Sequence, residues 1–192
     1  MSAVHINEIW MSPEAYLEWQ LHQEVRYEYL AGEVHMMAGA STEHNRIAGN
    51  IFSDLHLHLR GNKCEPFMND MKAHIHDAGD DWFYFPDIMV NCDPAGQHKL
   101  YCDTPSLIVE VLSPSTEQTD RREKRLSYER LPSLHTYILV SQEKRELTIF
   151  RRENFAWNKS TLTDANGVLE IHPLGFSISM DAIYARTGIA KP

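Results

Sequence analysis

The sequence predicts an α/β fold, and three observations carry that expectation. Apolar residues at Ile47, Ile51, Leu55 and Leu59, with Ala48 and Phe52 alongside, recur at helical spacing over residues 42–59. Two runs, 83–90 and 106–112, are dense in β-branched and aromatic residues and read as central strands. Residues 26–37 set two aromatic and apolar runs on either side of Gly32, the pattern of an antiparallel hairpin.

The remaining elements follow from local signals. Ser12-Pro13-Glu14 opens a helix expected to reach about residue 22, with Ser12 as N-cap, proline in the first turn and early acids facing the positive end of the helix dipole. Gly61-Asn62 ends the long helix. Residues 64–76 then read as one extended strand, closed by the acidic turn 77–81. Ser115-x-x-Gln118 has the form of a capping box opening a charged helix that Pro132 stops. Strands are expected again at 136–140 and 146–150, with a further pair at 155–162 and 168–172. There is no internal repeat, linker or low-complexity tract.

With 192 residues, 43% of them hydrophobic, the chain is expected to form one domain over residues 1–192, with its core at about 12–185. No apolar stretch approaches the roughly 18 to 20 residues of a membrane helix, and no basic segment precedes an apolar run at the amino terminus. The expectation is a cytoplasmic protein without a membrane partner. Cys64, Cys92 and Cys102 form no C-x-x-C pair and are expected to be reduced thiols. The net charge of −9, from 27 acidic and 18 basic side chains, argues against tight autonomous binding to nucleic acid, which draws on Lys and Arg at phosphates. An acidic catalytic site is compatible with that charge.

Two acids stand out because each lies in an apolar strand. Burying an unpaired carboxylate costs several kcal/mol, so Asp87 and Glu110 each call for a cation, a raised pKa or a metal. On neighbouring strands the two carboxylates, about 4 Å apart, would repel by about 4 kcal/mol at an effective dielectric of 20. A divalent cation removes that penalty, and hard oxygen ligands suit Mg²⁺ or Mn²⁺ better than zinc. Lys124 is the candidate amine. Asp120, Lys124 and Tyr128 recur every four residues and share one helical face, although an exposed Asp120–Lys124 pair is the plain alternative.

Taken in order, Tyr27-Glu28-Tyr29-Leu30-x-Gly32-Glu33-Val34, His44 at a helix start, Pro86-Asp87, residues 109–116 and Asp120-x-x-x-Lys124-x-x-x-Tyr128 resemble the Uma-type restriction-endonuclease-like family of the PD-(D/E)XK nuclease superfamily. The likeness spans roughly residues 16–184. It implies a restriction-endonuclease-like fold, a mixed central β-sheet flanked by helices with additional antiparallel strands, and Asp87 and Glu110 as Mg²⁺ ligands. It also implies that Glu28 helps position metal or water. The sequence departs from the superfamily's E-x-K, having Leu112 where the lysine belongs, and the resemblance supplies the amine from the next helix, at Lys124.

Other residues admit two readings. His44 can serve the site as an acid/base group or phosphate ligand, or be a plain histidine near a helix start. Glu33 is more simply a solvated hairpin acid. His56 and His58 do not face one another on a helix, whereas His74 and His76 would share a face of a strand. The basic run Arg121-Arg122-Glu123-Lys124-Arg125 can contact phosphates or form a solvated face.

The leading expectation is a metal-dependent endonuclease acting on DNA, with a homodimer suited to cutting both strands. The alternatives are a catalytically inactive nucleic-acid-binding or assembly module on the same fold, and a zinc hydrolase built on histidines.

Overall fold

The computed structural model describes residues 10–113 and 120–191, with Asp120 and Arg121 described by their backbone alone. The predicted capping box, Ser115 to Gln118, lies outside the described residues. Helix α1 (Pro13–Gln20) begins as its sequence dictates, with Ser12 Oγ accepting the Ala15 N–H at 3.3 Å. Its buried residue Tyr16 stacks on Tyr29 and packs against Phe83, and its hydroxyl donates to the Tyr27 carbonyl at 2.6 Å. The expected hairpin is β1 (Tyr27–Leu30) and β2 (Glu33–Met36). Its turn places Ala31 and Gly32 at φ 49° and 107°, the left-handed conformation that glycine adopts without steric cost.

Helix α2 (Thr42–His58) is capped by Ser41, whose Oγ accepts the His44 N–H at 3.1 Å. Its Ile47, Ala48, Ile51 and Leu55 are buried, as the helical periodicity requires. The single strand expected at 64–76 is instead two, β3 (Glu65–Met68) and β4 (Lys72–Asp77). The break falls at Asn69, whose φ of 60° no strand can carry.

The run 83–90 also divides, into β5 (Asp80–Tyr84) and β6 (Ile88–Asn91). Pro86 has no N–H for a ladder, and here the chain leaves one sheet for another. β5 lies in a five-stranded sheet of order β2-β1-β5-β4-β7, where β7 is Tyr101–Cys102. β6 lies in a six-stranded sheet that also holds β8 (Pro105–Leu112), β9 (Thr136–Ser141), β10 (Leu147–Glu153) and β11 (Ala156–Leu162). Its order is β11-β10-β9-β8-β6-β3, with β8 and β9 parallel and its other pairs antiparallel, so the sheet is mixed as expected.

Both faces of the six-stranded sheet are covered, which is why its central strands read as nearly continuous apolar runs. On one face, Val109, Val111, Ile138 and Val140 pack with Ile47, Ile51 and Leu55 of α2, and with a hairpin and short helix near the carboxyl terminus. That hairpin is β12 (Val168–Ile171) and β13 (Phe176–Ser179), and the helix is Met180–Ile183; β13 and this helix were not expected from sequence. On the other face, Ile108, Leu112, Tyr137 and Leu139 meet Ala73, Ile75 and Tyr84 of the five-stranded sheet. Strand alternation therefore turns Glu110, which shares parity with Ile108 and Leu112, toward this second layer.

The cysteine expectation is corrected by the fold. β3 pairs with β6 with Glu65 opposite Asn91, which sets the flanking Cys64 and Cys92 side by side, and they form a disulfide. Cys102 is a buried thiol.

Leu55→Ala should lower stability by about 2–5 kcal/mol in urea unfolding, because it opens a cavity where α2 meets the sheet. Leu57→Ala, on the exposed face of the same helix, should stay within about 0.5 kcal/mol of the parent.

Candidate active site

The acids are brought together by strand pairing. β6 and β8 run antiparallel with Ile88 opposite Val109, so one step further along the ladder Asp87 falls opposite Glu110. Two hydrogen bonds fix them: the Val111 N–H donates to Asp87 Oδ2 at 2.7 Å, and the Asp87 N–H donates to Glu110 Oε2 at 3.3 Å. Because Pro86 ends the ladder just before it, Asp87 sits at the rim of the sheet rather than inside it.

Glu28 reaches the same place from the five-stranded sheet. It is buried on β1, and its Oε1 accepts the Phe85 N–H at 3.3 Å. Lys124 closes the group from a third direction. It ends a π-helical turn, Asp120–Lys124, that leads into the short helix Arg125–Tyr128. Its Nζ lies 2.8 Å from Glu28 Oε1 and 3.6 Å from Glu110 Oε1. Tyr128, four residues on, donates its hydroxyl to Glu110 Oε1 at 3.0 Å. His44, in the first turn of α2, places Nε2 3.1 Å from Asp87 Oδ2.

Glu28, His44, Asp87, Glu110 and Lys124 thus line one cleft of about 560 Å³. Its lining carries four carboxylates, counting Glu123, against the cations Arg26 and Lys124. Leu112, two residues after Glu110, is buried in the core, whereas Lys124 lies beside the Glu110 carboxylate. Charged neighbours and burial also fix the phenols. Burial above all, then the carboxylates of Glu110 and Glu28, pushes Tyr128 well above the ordinary tyrosine range, so it stays a neutral donor. Burial likewise raises Tyr84, packed against Lys124 and Ser127, to about 12.

Several candidate residues lie elsewhere. Glu33 is on the exposed hairpin edge beside His35. His58 contacts the Leu174 carbonyl and His56 stacks on Phe52, so that pair is not a site. His74 and His76 do share a strand face, where both engage Asp81, and His74 also meets Asp103. Arg125 pairs with Glu129 and lies over Phe150. The side chain of Asp120 is outside the described residues.

Sequence reasoning did not single out Tyr128 as a direct partner of Glu110, though its spacing from Lys124 carried that signal. It also passed over Arg26 and Phe85, which line the cleft and interrupt no obvious pattern.

Among the described residues, no group of three or more His, Cys, Asp or Glu side chains is arranged to hold a metal ion. A zinc cage draws on three or four such ligands. Mg²⁺ differs, being held by one or two carboxylates while keeping several waters. The Asp87 and Glu110 oxygens at the rim of an acid-rich cleft are a donor set of that kind.

The two packed sheets, the mixed pairing around β8 and the flanking α2 constitute a restriction-endonuclease-like fold. A solved structure described as "a putative nuclease belonging to DUF820 from Anabaena variabilis" is similar to it, with a TM-score of 0.69 at 15% identity, over 85% of this chain and 92% of that one. Residues 13–181 match the Uma2 family, "Putative restriction endonuclease", and the chain belongs to that family. It is 34% identical to uncharacterized protein slr1290 of Synechocystis sp. over 91% of both chains. It is 32% identical to uncharacterized protein sll1609 of the same organism, over 66% of this chain and 72% of the relative.

Lys124→Met should cost about 3–5 kcal/mol in urea unfolding, since it leaves the Glu28 and Glu110 carboxylates buried without their shared ammonium. The raised phenols give a second test. A tyrosine whose pKa is higher in the folded than the unfolded chain contributes stability that is complete below about pH 10 and is lost as pH rises through the folded value. Tyr84 and Tyr184, both raised to about 12, place that loss near pH 10–12. Tyrosinate absorbance at pH 11 should therefore be lower in the native protein than in urea, with the difference vanishing as the fold is lost.

Proposed function

We propose that this chain is a divalent-metal-dependent endonuclease that hydrolyses DNA phosphodiester bonds at the cleft of Asp87 and Glu110, with Mg²⁺ or Mn²⁺ held by those two carboxylates. The observation that carries the reading is the convergence of Glu28 and Glu110 on Lys124, with Asp87 beside Glu110, at an open cleft where four carboxylates outnumber two cations. Carboxylates gathered at one cavity repel one another, and a cation entering it relieves that cost.

In hydrolysis the oxygen of water bonds to phosphorus, the bond to one ester oxygen breaks, and a proton passes to the departing alkoxide. The bound ion would polarise a phosphate oxygen and make the attacking water more acidic. Lys124 brings a fixed positive charge to the place where negative charge grows on the phosphate, in a cleft partly screened from water. Glu28 is a positioning residue for that ammonium, since it is itself fixed by the Phe85 N–H. His44 and the Val111 N–H orient the Asp87 carboxylate, and Tyr128 and the Asp87 N–H orient Glu110. A homodimer is part of the proposal, because two symmetry-related clefts suit a duplex.

One observation favours a second reading, a non-catalytic nucleic-acid-binding or assembly module. Both acids already accept hydrogen bonds within the protein, so the cluster is internally satisfied. Calorimetric titration with MgCl₂ or MnCl₂ separates the two readings. Binding that is lost in both Asp87→Ala and Glu110→Ala supports the enzyme, and no binding supports the module.

Incubated with duplex, single-stranded and supercoiled DNA, the protein should cut at least one form when Mg²⁺ or Mn²⁺ is present and none after chelation. Asp87→Ala, Glu110→Ala and Lys124→Met should each lower the rate by about 10²–10³ or more. Undiminished cleavage by the two acid variants would falsify the assignment.

A further inference from the structure

A second cavity, of about 590 Å³, adjoins the acidic cleft and shares Arg26, Met37, Ala38, Gly39 and Phe85 with it. Its charge balance is the opposite. Arg26, Lys72 and Lys99 line it against Glu24 and Asp70, and Asp70 is strongly exposed and lies 3.8 Å from Arg26.

Lys72 is the unusual member. It heads β4, one step beyond the Ala73–Tyr84 pair, which sets it across the ladder from Phe85 and beside Tyr101 of β7. It is only 4% exposed. Among the described residues its ammonium makes no ion pair or hydrogen bond; it lies 4.8 Å from the centroid of the Phe85 ring. Burial, its largest influence, holds its pKa below the usual lysine value, with Asp70 opposing. A buried ammonium aimed into a cavity, with an aromatic face as its neighbour, is a site whose missing partner is an anion.

Phe85 is what joins this site to the acids. Its ring carries Lys72 on the side of the second cavity, while its backbone N–H holds Glu28 in the first. An extended polyanion lying across both cavities would meet the carboxylate cluster at one phosphate and Lys72 beyond the Phe85 wall at another. We propose that Lys72 is a phosphate-binding residue of the second cavity, holding the nucleic-acid backbone beside the phosphodiester that the acids address. This rests on the nuclease reading and adds to it a path for the substrate strand. It also answers how a chain of net charge −9 can hold a polyanion, by confining positive charge to a cavity next to the acids.

The test is fluorescence anisotropy of a short labelled DNA duplex and of its single strand, titrated with the full chain carrying Asp87→Asn, across a range of salt concentrations. Lys72→Met in that background keeps the apolar contact with Phe85 and removes the charge. The expected result is about tenfold weaker binding. The slope of log affinity against log salt should also become shallower by about 0.7–0.9, the signature of one lost phosphate contact. Lys72→Arg should keep most of the affinity, and thermal unfolding of Lys72→Met should show no loss of stability, because no protein partner is orphaned. Equal affinity and equal slope in Lys72→Met would overturn the assignment and leave the nuclease reading standing. Failure of the Asp87→Asn parent to bind either form of DNA would overturn both.

Discussion

The ammonium of Lys124 ties together three parts of the molecule at one point. Glu28 belongs to the five-stranded sheet, Glu110 to the six-stranded sheet, and Lys124 to the short helical segment between β8 and β9. Two buried carboxylates facing each other would separate the sheets at their common edge. One shared cation turns the repulsion into a clamp, and Tyr128 completes it by donating to the same Glu110 oxygen that Lys124 approaches. The cluster is thus structural as well as chemical, and its geometry cannot be altered at one residue without moving the others.

The second constraint is the passage of the chain from sheet to sheet at Phe85-Pro86-Asp87. A strand running straight through would have placed Asp87 in a ladder, with its backbone paired and its carboxylate trapped between layers. Proline stops β5, and the next residue starts opposite Glu110 with its own N–H free to bind that carboxylate. Phe85, left between the sheets, contacts Lys72 with its ring and Glu28 with its backbone. Three consecutive residues therefore set the boundary between an acid-rich cleft and a cation-rich cavity.

Much of this was legible in the sequence because it violates a simple rule. Asp87 and Glu110 are conspicuous as acids in apolar strands, and the 42–59 helix is conspicuous as an unbroken periodicity, so both the core helix and the acid pair follow from burial alone. Lys124 was legible through its four-residue spacing from Tyr128, which survives even though the turn before it is π-helical. What escaped depended on relations between distant segments. The Cys64–Cys92 disulfide follows from the register of β3 on β6, which composition does not encode. The break at Asn69 is a backbone conformation that an otherwise strand-like sequence conceals.

Lys72 shows where the same rule was available and not applied. A lysine between Met71 and Ala73 at the head of a buried strand is as anomalous as an acid in one, but reading 64–76 as a single strand leaves it an ordinary half-exposed position. Once the chain is broken at Asn69, Lys72 becomes the first residue of β4 and is paired on both sides, by β5 and by β7, which is what buries it. The two kinds of anomaly then have one physical cause. Glu110 and Lys72 are charges held where the fold excludes water, and each lines a cavity on its own side of Phe85, negative at the acid cleft and positive at its neighbour. For the proposed nuclease, this segregation would keep attraction for a polyanion local and leave the carboxylates close enough to act on the same strand.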